Sequence, residues 1–143
     1  MSEFERYRSK AEIEEVVRRF ESCNYQPEEF SHARHLTVAA WYFLHSDPKA
    51  AGERVRAGLQ KFIRHHGKNG YHITMSEFWL RFVKKTLQEI GPEGDFVSRV
   101  NQVVERLNNK SLIYEYYSRE QLDTPEAKAA WIGPDLKDIP AAV

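Results

Sequence analysis

PEEFSHARHLTVAAWYFLHS, residues 27–46, is the stretch that decides the fold of this chain. Phe30, Leu36, Val38, Trp41, Phe43 and Leu44 fall on every side of a helical wheel, whereas a surface helix confines its apolar residues to one stripe. A helix apolar all round must be surrounded, so 27–46 is expected to be the central helix of a bundle. Pro27 suits a first helical position, and Glu28 and Glu29 are favourable beside the positive end of the helix dipole.

The flanking segments read as helices that cover it. Ile13, Val16, Val17 and Phe20 recur at helical spacing in a first helix over 10–22, with Glu14, Glu15, Arg18 and Arg19 outward. Asp47 and Pro48 form the cap and first turn of a third helix, striped by Val55, Leu59, Phe62 and Ile63 and ended by Gly67. After the glycine-bounded loop GKNGYHI (67–73), Thr74 and Glu77 have capping-box spacing for a fourth helix, whose core face carries Trp79, Phe82, Val83, Leu87 and Ile90. Gly91 and Pro92 stop it. A fifth helix over 95–107 buries Phe96, Val100, Val103, Val104 and Leu107. Shorter pieces follow: SLIYEYY (111–117), SREQL (118–122) with a second capping box, and TPEAKAAW (124–131) with Thr124 as cap. No stretch alternates like a strand, no repeat of useful period occurs, and no linker divides the chain. The expected fold is all-α: one domain over 1–143, with about five main helices, short C-terminal helices and extended termini at 1–9 and 133–143.

Composition narrows the function. Lys plus Arg total 21 and Asp plus Glu total 21, leaving no net field to gather nucleic acid or an anionic membrane. No apolar stretch is long enough to span a bilayer, and MSEFERYRSK shows no signal-peptide pattern; a cytoplasmic protein is expected. The single cysteine, Cys23, rules out an internal disulfide or a multi-cysteine zinc site and reads as a small apolar residue at a helix end. GxSxG, HExxH and phosphate-binding glycine loops are absent. Glu29 and His32 form one Glu-x-x-His element without the second copy a di-iron bundle needs. The basic residues of RVRAGLQKFIRHHGK (54–68) read as the solvated side of an amphipathic helix, and His45, His65 and His66 as helix-end groups.

His32 and His35 are the residues with chemistry to offer. On one continuous helix, Glu28, His32 and His35 fall within roughly 60° of one another, and Ala39 leaves space beside them. Neutral imidazoles three residues apart can share a metal ion, with a carboxylate one turn away as third ligand or orienting group. His72, held beside glycines just before a helix start, can supply a third imidazole. A divalent metal such as zinc, iron, manganese or nickel is then the expected occupant, with an open position for water or a small-molecule ligand. The structural alternative is that His32 and His35 are core histidines satisfied by hydroxyls or carbonyls, with His72 a helix-entry residue. Tyr114, Tyr116 and Tyr117 read as amphipathic packing with surface hydroxyls.

FSHARHLTVAAWYFL (30–44), GYHIT (70–74), YEYYS (114–118) and PDL (134–136) together resemble the ordered landmarks of a group of small, uncharacterised helical bacterial proteins. The resemblance covers residues 28–137 and implies a helical fold and attention to His32, His35 and His72; no activity is established for that group. Its pattern carries an acidic residue where this chain has Ile73, so any ligand role of that acid is lost here. The functional expectation is a metal-dependent enzyme or small-ligand protein built on those histidines. The alternative is a non-enzymatic helical module, acting through an apolar or aromatic surface and forming a homodimer.

Overall fold

The structure, a computed structural model, describes residues 4–68 and 70–140. The described residues contain helices and no strand. In order these are α1 (Lys10–Glu21), α2 (His32–His45), α3 (Pro48–His65), α4 (Ile73–Ile90), α5 (Phe96–Leu107), α6 (Arg119–Leu122) and α7 (Pro125–Ala129). Two 3-10 turns, Pro27–Glu29 and Lys110–Glu115, join them. α2 packs against α1, α3, α4 and α5, as its all-round apolar pattern requires. Leu36, Val38 and Ala40 are at most 1% exposed. Each large apolar side chain buried so completely stabilises the fold by about 1.5–3 kcal/mol before the entropy of ordering it is counted.

The caps explain where most helices start. Ser9, Asp47, Asp95, Ser118 and Thr124 each accept a hydrogen bond from the backbone N–H three residues on, and Pro48 and Pro125 open their helices. In the SREQL segment only half a capping box forms, because the Gln121 amide donates to the carbonyl of Gly133 instead. α1 ends with Cys23 in the left-handed region (φ 57°), Cys23 N–H bonding Phe20 O at 3.0 Å and Asn24 N–H bonding Arg19 O at 2.7 Å. Cys23 is buried there, as a helix-end apolar residue should be.

Two expected boundaries are corrected. Residues 27–46 are not one helix: Pro27–Glu29 is a separate turn, Phe30 leaves helical geometry (φ −81°, ψ 76°), and Ser31 caps α2 by accepting from Arg34 N–H. The break drops the Phe30 ring among Phe20, Tyr25 and Phe62, at centroid distances of 5.0, 6.0 and 5.2 Å. Thr74 is not the cap of α4 either. His72 takes that role, while Thr74 is fully buried and its hydroxyl donates to Ala130 O (2.8 Å) and accepts from Ile132 N–H (3.2 Å). Glu77, the other half of the expected box, forms a two-pronged ion pair with Arg56 of α3 at 2.5 and 2.9 Å. Arg56 is therefore not simply part of a solvated face.

Both ends of the described chain are tied down. Asn101 exchanges two hydrogen bonds with the backbone of Tyr7 (2.8 and 3.0 Å), and the Tyr7 hydroxyl pairs with Thr37. The tail after α7 crosses α4 and the Lys110–Glu115 turn. Tyr117 is fully buried, contrary to the expected surface hydroxyl, and donates to Ile132 O at 2.5 Å; Leu136 N–H bonds Tyr116 O at 2.9 Å. The outermost residues of the two expected extended termini, 1–3 and 141–143, and Asn69 of the glycine-bounded loop lie outside the described residues.

Candidate functional site

The first turn of α2, the C-terminal third of α3, the first two turns of α4 and the Lys110–Glu115 turn enclose a pocket of about 450 Å³. His32, His35 and His72 all line it. Its walls are otherwise apolar or aromatic, chiefly Phe62, Tyr71, Met75 and Trp79, with Lys110 and Tyr114 completing the lining. The volume falls in the ordinary range for a small-molecule site, which is typically mostly apolar with a few placed polar groups.

The three imidazoles differ in what they have left to offer. His72 caps α4: its Nδ1 accepts the Met75 N–H at 3.2 Å, and its Nε2–H donates to Leu122 O at 2.7 Å. Those two bonds assign the neutral tautomer and use both ring nitrogens, leaving no lone pair for a ligand. His32 donates from Nε2 to Leu107 O at 3.1 Å and stands edge-on to Trp79 at 4.4 Å between centroids. Burial holds its pKa below the usual histidine value; the Leu107 carbonyl opposes the shift, and the nearby Lys110 ammonium adds to it.

His35 is the deepest. It is only half-buried by surface because the pocket reaches it, and a small void behind it, shared with Ser76 and Trp79, is just large enough for about one water. Among the described residues no hydrogen bond reaches its ring, which packs edge-on to Phe30 at 5.5 Å. Burial first, and His32 second, push the His35 imidazole down to about 4. It is thus neutral near pH 7, with one donor and one acceptor nitrogen. Ser76 and Tyr71 supply the adjacent hydroxyls, Tyr71 donating to Ser76 at 2.8 Å.

Glu28 is corrected. Its place beside the histidines depended on a continuous helix, and the break at Phe30 moves it to an exposed turn outside the pocket lining. Among the described residues no three His, Cys, Asp or Glu side chains are grouped to hold a metal ion. The expected donor set of His32, His35, His72 and Glu28 therefore divides: three share a pocket, one of those three is already saturated, and Glu28 is elsewhere. Ser76, Met75, Tyr71 and Lys110 were not legible as site residues. For Met75, Ser76 and Trp79 the available signal was their spacing of three, four and seven from His72, which places them on one face of α4.

His45 ends α2, donating from Nδ1 to Trp41 O at 2.8 Å, and His65 and His66 close α3, as helix-end groups should. The tail does not line the histidine pocket; with Arg81 and Lys84 it borders a separate surface cleft. Among the described residues no helix is long and apolar enough to cross a membrane, and Leu136 is the single exposed large hydrophobic. No protein-family model, curated protein or solved structure matches the chain.

Proposed function

We propose that this protein binds a small, largely apolar organic molecule in the His32–His35 pocket, with His35 as the hydrogen-bonding group that orients it. The observation that carries the proposal is a neutral imidazole with both nitrogens uncommitted among the described residues, deep in a pocket that is otherwise aromatic and aliphatic. A bound molecule with a hydroxyl or amide can satisfy that imidazole, whereas an empty pocket leaves it to water. Binding is favoured over proton-transfer catalysis because a general base works best with a pKa near the working pH, and His35 lies well below it. The interaction-module alternative needs a contiguous apolar surface, and among the described residues Leu136 is the one large hydrophobic side chain that stands exposed.

The test is a titration with p-cresol, a neutral ring with one hydroxyl, followed by NMR of the histidine and tryptophan rings. Saturable shifts centred on His35 and Trp79, abolished when Leu59→Trp fills the pocket, are expected. Shifts scattered over the surface, or none, would remove the proposal. Elemental analysis provides a second check: a stoichiometric divalent metal, lost in both His32→Ala and His35→Ala, would replace the organic ligand with a metal centre.

A further inference from the structure

The pocket has a charge character that its apolar walls conceal. Among the described residues that line it there is no aspartate or glutamate, and Lys110 is the one formally charged group. Lys110 is exposed, makes no ion pair with any described residue, and lies close enough to His32 to act on it electrostatically. α2 and α4, of 14 and 18 residues, both begin at the pocket, and neither carries an acidic residue in its first turn. The positive ends of two helix dipoles and an ammonium therefore share one opening, with no carboxylate among the described lining residues to neutralise them. Inside, Phe62, Tyr71 and Trp79 offer ring faces and edges, in a volume suited to a single-ring molecule.

We propose that the ligand is a small aromatic acid, its carboxylate at Lys110, its ring among Tyr71, Trp79 and Phe62 and any ring hydroxyl toward His35; this rests on the organic-ligand reading above. The carboxylate stays near the mouth, where the ammonium is partly hydrated, and only the ring is desolvated. An anion buried at the floor would have no cation to meet it among the described residues.

The experiment compares phenylacetate, phenylacetamide and octanoate by calorimetric titration of the full chain. Phenylacetate is expected to bind about fivefold or more tighter than its amide, the scale of one partly exposed charge-assisted contact. Lys110→Met should erase that preference without changing the amide's affinity, and Lys110→Arg should retain it. Equal binding of acid and amide, or a preference that survives in Lys110→Met, would overturn the assignment of the carboxylate to Lys110. Octanoate binding tighter than phenylacetate would overturn the aromatic assignment. In each of those cases saturable p-cresol shifts at His35 and Trp79 leave the organic-ligand reading standing, and their absence removes both.

Discussion

His35 couples the pocket to proton concentration. Its pKa is 6.5 when exposed and about 4 when folded, so between these values the unfolded chain holds more protons than the native one. Stability from this residue is complete above about pH 6.5 and declines as pH falls toward 4, with His32 adding to the same trend. Between pH 7 and pH 5 the loss attributable to His35 should reach up to about 2 kcal/mol, and His35→Leu should flatten that part of the profile of urea midpoint against pH. Ligand affinity should hold over that interval and weaken only as pH falls to about 4 and below, where the folded imidazole itself takes up a proton and loses its acceptor nitrogen. His72 behaves differently, since its role is to start a helix. His72→Ala should cost about 1–2 kcal/mol, and His72→Asn, which can still cap α4, should recover most of it in thermal unfolding. The sequence made His32, His35 and His72 visible as a group because imidazoles are rare and their spacing is local. It hid the difference between them, which comes from the carbonyls of Leu107 and Leu122, residues 75 and 50 positions away.

At the scale of elements, periodicity was sufficient for the main helices and insufficient for two of their starts. Apolar spacing and ordinary caps such as Asp47, Asp95 and Thr124 act within a few residues, so they can be read along the chain. The break before α2 and the cap of α4 were set by partners from elsewhere: the aromatic cluster around Phe30, the tail carbonyl that takes Thr74, and Arg56 that takes Glu77. The same break removed Glu28 from the candidate site. Close packing of α1 on α3 yields a test of this kind of remote control. A Cβ at Gly58 would lie 2.6 Å from the Phe20 ring, which is itself 1% exposed. Alanine is worth about 1 kcal/mol more than glycine in a helix, yet overpacking costs about 1–3 kcal/mol. Gly58→Ala should therefore destabilise the protein in urea, and Phe20→Leu in the same chain should recover part of the loss by making room.

For the whole molecule, the central helix was the most legible feature, because apolar residues on every side call for packing partners on every side, and α1, α3, α4 and α5 supply them. The tail was the least legible: residues 131–136 carry no strong pattern, yet Thr74, Tyr117 and Gln121 hold them across the bundle. Thr74→Val keeps the shape and removes both hydrogen bonds, so hydrogen exchange and proteolysis at 131–136 should rise while the core amides of α2 and α5 stay protected. The pocket itself is assembled from four stretches of chain spread between residues 30 and 114. An unfolded chain therefore has no fragment of it to offer, and whatever occupies it recognises only the native state. Any true ligand must then raise the melting temperature: at one hundred times its dissociation constant it adds about 2.7 kcal/mol, a shift of several degrees in a chain of this size. A thermal-shift screen of a metabolite library thus works without the ligand being guessed in advance, and the protein's own unfolding becomes the assay.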